Sequence, residues 1–256
     1  MGRRTPWLTA CWVIAVRQFT MLRRSPLRVL FGFTQPLIYV VFFGPFFGAV
    51  FPSGTGLPSG IDVLVPGLLL QLTVFSAGFS GYATLQERRE GVLDRQRVSG
   101  AASSTLLIGR ATANALVTVV QAVLLSVAAI PFGFRFNALG ALIGLGVVFV
   151  VNVGVAAASS ALAYRLVDET TFTPIVQNTT LPLVILSGVL LPLSMAPLWL
   201  QSIAFFNPFS HTVSALRASF GGAFGSPDLW WGVLVSVAVS AALMSLAIWS
   251  FGRVSK

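Results

Sequence analysis

The chain has 256 residues, 55% hydrophobic and 9% charged, with a formal net charge of +9. Soluble domains carry about 25% charged residues, so this composition excludes a water-soluble fold and makes lipid the expected solvent. The basic residues are dispersed rather than gathered on a soluble face, which excludes a nucleic-acid-binding module and fits basic loops beside membrane spans. Cys11 is the single cysteine, so an intrachain disulfide and a cysteine-rich metal site are also excluded.

In chain order, Arg3 and Arg4 precede an apolar run at 7–16, the layout of a signal peptide. No small-residue cleavage site follows it, however; Arg17, Arg23 and Arg24 do. The run is also shorter than the roughly 20 residues a spanning helix needs. On a helix here, Trp7, Leu8, Cys11, Ala15, Phe19 and Leu22 share one side, and Arg17, Thr20, Arg24 and Arg28 the other. That pattern predicts an amphipathic helix lying in the membrane interface.

Six apolar stretches follow, at 27–47, 63–85, 105–130, 138–164, 173–191 and 229–251. Turn residues separate them at 52–60, 133–137 and 221–228. The expected fold is an all-α polytopic membrane protein with six transmembrane helices, forming a single domain over 1–256. With the N-terminus in the cytoplasm, fourteen of the sixteen basic residues fall on the inner side and only Arg135 and Arg217 outside. This bias places both termini in the cytoplasm and the 192–228 segment outside. Pro36, Pro45, Pro174 and Pro182 lie inside spans, as tolerated kinks or as gating elements.

Charge concentrates in one island within the 86–104 connection, Glu87-Arg88-Arg89-Glu90-Gly91-Val92-Leu93-Asp94-Arg95-Gln96-Arg97-Val98. On a helix, Glu87, Glu90 and Asp94 make an acidic stripe at i, i+3 and i+7, with Arg88 and Arg95 beside it. Two readings fit: a cytoplasmic helix that docks a soluble partner, or a solvated loop obeying the positive-inside rule. Polar residues also punctuate the second span (Gln71, Thr73, Ser76) and the fifth (Gln177, Asn178, Thr180). Such groups either hydrogen-bond between helices or line a polar route.

The island resembles the cytoplasmic coupling segment of type-2 ATP-binding-cassette (ABC) exporter permeases, the daunorubicin-resistance-like drug efflux group in particular. Gln35-Pro36-Leu37 with Phe43-Gly44-Pro45 is similar to that family's first span. Ser187-Gly188-Val189-Leu190-Leu191-Pro192 and Asn207-Pro208-Phe209-Ser210-His211 through Arg217 resemble its passage from the fifth span into an outer re-entrant hairpin. One departure is Ser99-Gly100, where the family commonly has a Pro-containing pair. The resemblance implies a permease subunit in the cell membrane that pairs with a second permease copy or paralogue and with two ABC ATPase subunits. It implies coupling to the ATPase through Glu87, Arg88, Glu90, Gly91, Asp94, Arg95 and Arg97 and through the 7–24 helix. It further implies an amphipathic, drug-like or lipid-like substrate moving outward between permeases, along second and fifth spans that here carry Gln71, Thr73, Ser76, Gln177, Asn178 and Thr180. The hairpin residues carried over are Asn207, Pro208, His211 and Arg217.

Enzyme readings fare worse. Lys256 is the only lysine, so no phosphate-binding loop with its lysine exists; the chain is expected to bind no cofactor, and ATP and magnesium belong on the partner. Gly78-Phe79-Ser80-Gly81 matches the short pattern of rhomboid-type intramembrane serine proteases, with His211 as the candidate base. Ser80 and His211 are expected at opposite ends of the membrane, too far apart for that chemistry. An ion-coupled carrier needs a carboxylate near the midplane, and every acidic residue here lies at the edge of a span or in the island. For His211 the simpler role is a hydrogen bond within a tight hairpin.

Overall fold

The computed structural model describes residues 26–50, 60–89, 103–166, 168–190 and 192–254. The expected interfacial helix with Arg17, Arg23 and Arg24 lies outside them, as do Glu90, Gly91, Asp94, Arg95 and Arg97 of the island. The described residues form eight α-helices and no strand: α1 Pro26–Val50, α2 Gly60–Arg89, α3 Ser103–Ala129, α4 Ala138–Arg165, α5 Glu169–Ile185, α6 Leu198–Phe205, α7 Pro208–Phe220 and α8 Pro227–Val254. In lipid the backbone has no water to bond to, so a spanning segment must satisfy itself internally, and helices do so.

Among the described residues, four helical stretches are long and apolar enough to cross a membrane: Gly60–Gln86, Leu107–Phe132, Ala138–Arg165 and Pro227–Ser250. The apolar part of α1, Gly32–Phe47, is shorter, and α5 has 17 residues. Exposed tryptophans mark both ends of α8, Trp230 and Trp231 at its start and Trp249 near its finish. At 1.5 Å per residue they stand about 28 Å apart, close to the thickness of a hydrocarbon core bordered by aromatic side chains.

At the centre stands α2, packed against α1, α3, α4, α5 and α7. Leu64, Leu68, Leu69 and Val74 anchor the main apolar cluster from this helix. The α4 helix turns small residues toward its neighbours, with Gly140, Gly144, Gly154, Ala156 and Ala157 buried. Small side chains let helix backbones approach closely where lipid provides no hydrophobic drive. As expected from the short turn segment, α3 and α4 form a hairpin. A 3-10 turn at Ile130–Phe132 and the left-handed Gly133 reverse the chain, and the Asn137 side chain accepts from the Leu139 and Gly140 amides to start α4.

A buried polar knot joins α2, α3 and α4. The Asn152 amide nitrogen donates to the Thr118 hydroxyl at 3.0 Å and to the Thr73 carbonyl at 3.2 Å. Asn114 donates to the Asn152 carbonyl oxygen at 2.9 Å, and Ser76 and Thr118 share a bond of 2.8 Å. Asn152 is fully buried, so its alternatives in lipid are poor. Replacing Asn152 by Leu should cost about 1–2 kcal/mol of stability. Unfolding in bicelles by a graded denaturing detergent measures that loss directly.

Candidate functional site

The fifth apolar stretch, expected to run to 191, ends as a helix at Ile185. A turn occupies 186–190, where Gly188 adopts φ +73°, a conformation that favours glycine. The chain therefore leaves the helix several residues before the boundary expected at 192. It continues through a 3-10 turn at Leu193–Met195 into α6 and α7.

Breaking a helix here frees carbonyl groups, and the hairpin supplies donors for them. Arg217 on α7 donates from Nη2 to the Gly188 carbonyl at 2.7 Å and to the Val189 carbonyl at 3.3 Å, and from Nε to the Val63 carbonyl of α2 at 3.1 Å. Among the described residues this guanidinium has no carboxylate partner. The Asn207 side chain donates to the Leu183 carbonyl at 2.7 Å while its oxygen caps α7 by accepting from the Phe209 amide. Pro208 occupies the first turn of α7, where its missing N–H costs nothing. His211 donates from Nε2 to the Phe205 carbonyl at 3.0 Å. Asn207, Pro208, His211 and Arg217 are thus brought together as the frame of one hairpin.

Beneath that frame lies a cavity of about 600 Å³. Its walls come from α1 (Gln35, Tyr39), α2 (Gln71, Phe75), the far half of α5, the turn carrying Gly188 and Val189, and the stretch from Pro192 into α6 at Leu200. Among the described residues no charged side chain lines it. Gln35 donates to the Tyr39 hydroxyl at 3.4 Å, and Gln71 adds a second amide to an otherwise apolar wall. The size falls within the range of sites for drug-sized molecules. At Gly67 a Cβ would run into the Val189 carbonyl, so only glycine lets the turn close against α2.

The remaining polar residues of the two helices separate into groups. Thr73 and Ser76 belong to the knot between helices rather than to the cavity, as one of their two sequence readings held. Thr180 is buried within α5's contact with α2, beside Gly78. Gln177 and Asn178 are exposed on the outer side of α5. The Asn114–Asn152 pair was not singled out from sequence, because a lone amide in a span does not reveal its partner. Ser80 donates to the Ala77 carbonyl at 2.7 Å on α2, roughly 25 Å along the helix from Val63 by rise per residue. His211 is bonded within the hairpin that Arg217 fastens to Val63, so the two cannot form a catalytic pair.

At the opposite end of the bundle, Glu87 and Arg88 fall in the last turn of α2, and Arg89 closes it. Arg89 pairs with Glu169 at 3.0 Å and with Asp168 at 3.5 Å, and Tyr82 donates to Glu169 at 2.9 Å. Asp168 caps α5, accepting from the Thr170 amide and hydroxyl. The hydroxyl bond, the amide bond and the nearby Arg89 charge hold its carboxyl below the ordinary value, so it is ionised at neutral pH.

Residues 9–220 match the model of the family described as ABC-2 type transporter. The transport permease ycf38 of Porphyra purpurea is 29% identical over 78% of this chain and 70% of its own. The daunorubicin resistance ABC transporter permease protein DrrB1 of Streptomyces coeruleorubidus is 24% identical over 93% and 82%. The doxorubicin resistance ABC transporter permease protein DrrC of Mycobacterium tuberculosis is 27% identical over 83% and 76%.

Replacing Arg217 by Leu strips donors from three carbonyls, at about 1–3 kcal/mol for each left unsatisfied. Unfolding free energy should fall by at least about 3 kcal/mol, and limited proteolysis should open the 186–190 turn. Arg217→Lys, with a compact charge that cannot reach all three oxygens, should fall between the two.

Proposed function

Because the chain belongs to the ABC-2 type transporter family and is a membrane permease subunit of an ABC exporter, we propose that its cavity receives a hydrophobic or amphipathic small molecule. The observation that carries this reading is the uncharged, mostly apolar wall beneath the hairpin, with Gln35, Tyr39 and Gln71 as its polar points. Two relatives are named for resistance to daunorubicin and doxorubicin, which supports a drug-like substrate. With no carboxylate among the described lining residues, a cationic head group would rest on the faces of Tyr39 and Phe75.

Six spans, with both termini in the cytoplasm of a cell-membrane protein, follow from adding α1 and α5 to the four long helices and applying the basic bias. The hairpin then faces outward and the Arg89 end inward. ATP hydrolysis with magnesium belongs to two copies of a separate ATPase, which dock on Glu87, Arg88, Glu90, Gly91, Asp94, Arg95 and Arg97 and on the 7–24 helix with Arg17, Arg23 and Arg24. A second permease copy or paralogue completes the assembly. Gln177 and Asn178, exposed within an apolar segment, support a protein or water-filled route beside α5, since amides facing lipid are costly. With Gln71 they are the residues of this chain best disposed to meet the substrate.

Two experiments test this assignment in vesicles that hold the permease with its ATPase, using doxorubicin as a fluorescent probe. Gln71→Trp fills the cavity and should lower ATP-driven doxorubicin movement on the order of tenfold; an unchanged rate would remove the cavity from the route. Charge reversal at the island, Glu87→Lys with Glu90→Lys, should abolish ATP-driven movement while the permease remains folded and inserted. Full transport by that variant would remove the island as the docking segment.

A further inference from the structure

The α5 helix is held differently from every other long helix in the bundle. It packs along α2 and only lightly against α4. Its inward face is one stripe, Phe172, Val176, Thr180 and Val184, at successive i+4 positions that share a side of a helix. The other sides are largely exposed, and Pro174 and Pro182 each remove a backbone donor from within it. Guanidinium groups fasten both ends. Arg217 holds the carbonyls just past the C-terminal end, and Arg89 grips Asp168 and Glu169 at the N-terminal end.

Arg89 also adjoins Glu90 in sequence and closes the helix that leads into the charged island. A shift of the island can therefore reach α5 through the Arg89 side chain, beside the Tyr82–Glu169 hydrogen bond, without passing through the α2–α3–α4 knot. The far half of α5 supplies Leu181, Val184 and Ile185 to the cavity wall. We propose that Arg89 is a positioning residue that transmits movement of the charged island to α5, and so reshapes the cavity from its opposite end. The proposal rests on the reading of the island as the ATPase docking segment. The contact is half exposed at Arg89 and Asp168, with side chains 55% and 50% accessible. An ion pair of that kind is weak enough to be remade in each cycle, which suits a moving link better than a permanent one.

The test uses the full permease in complex with its ATPase, with Cys11→Ser removing the native thiol and Leu181→Cys reporting on the cavity wall. The readout is the rate of maleimide labelling, with and without nucleotide trapped on the ATPase. With Arg89 present, trapping should change that rate about fivefold, the scale of shift a small ionic network supports. Arg89→Glu should abolish the change while the complex is recovered at the same yield. The exchanged pair, Arg89→Glu with Glu169→Arg, should restore it, a recovery that a purely structural defect would not give. A nucleotide response that persists in Arg89→Glu, or an exchanged pair that stays silent, would overturn the link while leaving the docking reading intact. No response with Arg89 present would instead overturn the docking reading, and this proposal with it.

Discussion

A guanidinium surrounded by carbonyl oxygens fixes the geometry on which the cavity depends. A helix that stops inside or beside a lipid layer exposes acceptors that no water replaces, so α5 can end at Ile185 only where donors are waiting. Arg217 supplies two of them to the turn and a third to the start of α2, binding three segments distant in sequence through one planar group. Asn207 answers the remaining freed carbonyl at Leu183. With these bonds in place the turn leans over α2 at Gly67, and the space left below it is the cavity.

Charge and polarity are distributed so that each part of the bundle has one task. Where α2, α3 and α4 meet, the hydrogen-bonding groups are neutral: the Asn114–Asn152–Thr118 knot joins these helices without the desolvation cost that a buried ion pair would carry. Ionic contacts sit at the end bearing Arg89, where solvent screens them and they can break. Between these two regimes runs α5, fixed at its tips and free along most of its sides. The cavity lies where α1 and α2 meet the far half of α5.

Much of this was legible in the sequence. Hydropathy located the long helices within a few residues, because a span must be apolar over most of its length. Turn chemistry at Gly133 and Asn137 announced the α3–α4 hairpin. The hairpin residues Asn207, Pro208, His211 and Arg217 were picked out together and do share one frame. Hydropathy failed at the end of α5: Val189, Leu190 and Leu191 continue the apolar run through and beyond Gly188, while the donors that fasten the turn lie near residue 217. Pairing was equally hidden. Thr73 and Ser76 allowed two readings, hydrogen bonds between helices or a polar route, and only the packing of α3 and α4 against them shows the first. Arg89 and Glu169 are 80 positions apart, and only the contact of α2 with α5 brings them together.

The single buried stripe of α5 bears on how such a molecule changes over generations. Substitutions at Phe172, Val176, Thr180 or Val184 disturb the fit with α2, whereas those at Gln177 or Asn178 meet nothing inside the subunit and are tolerated by its fold. Diversification can therefore concentrate on one flank of one rod, leaving the scaffold untouched. A lineage built this way can vary a handful of outward positions with little risk to the integrity of the whole.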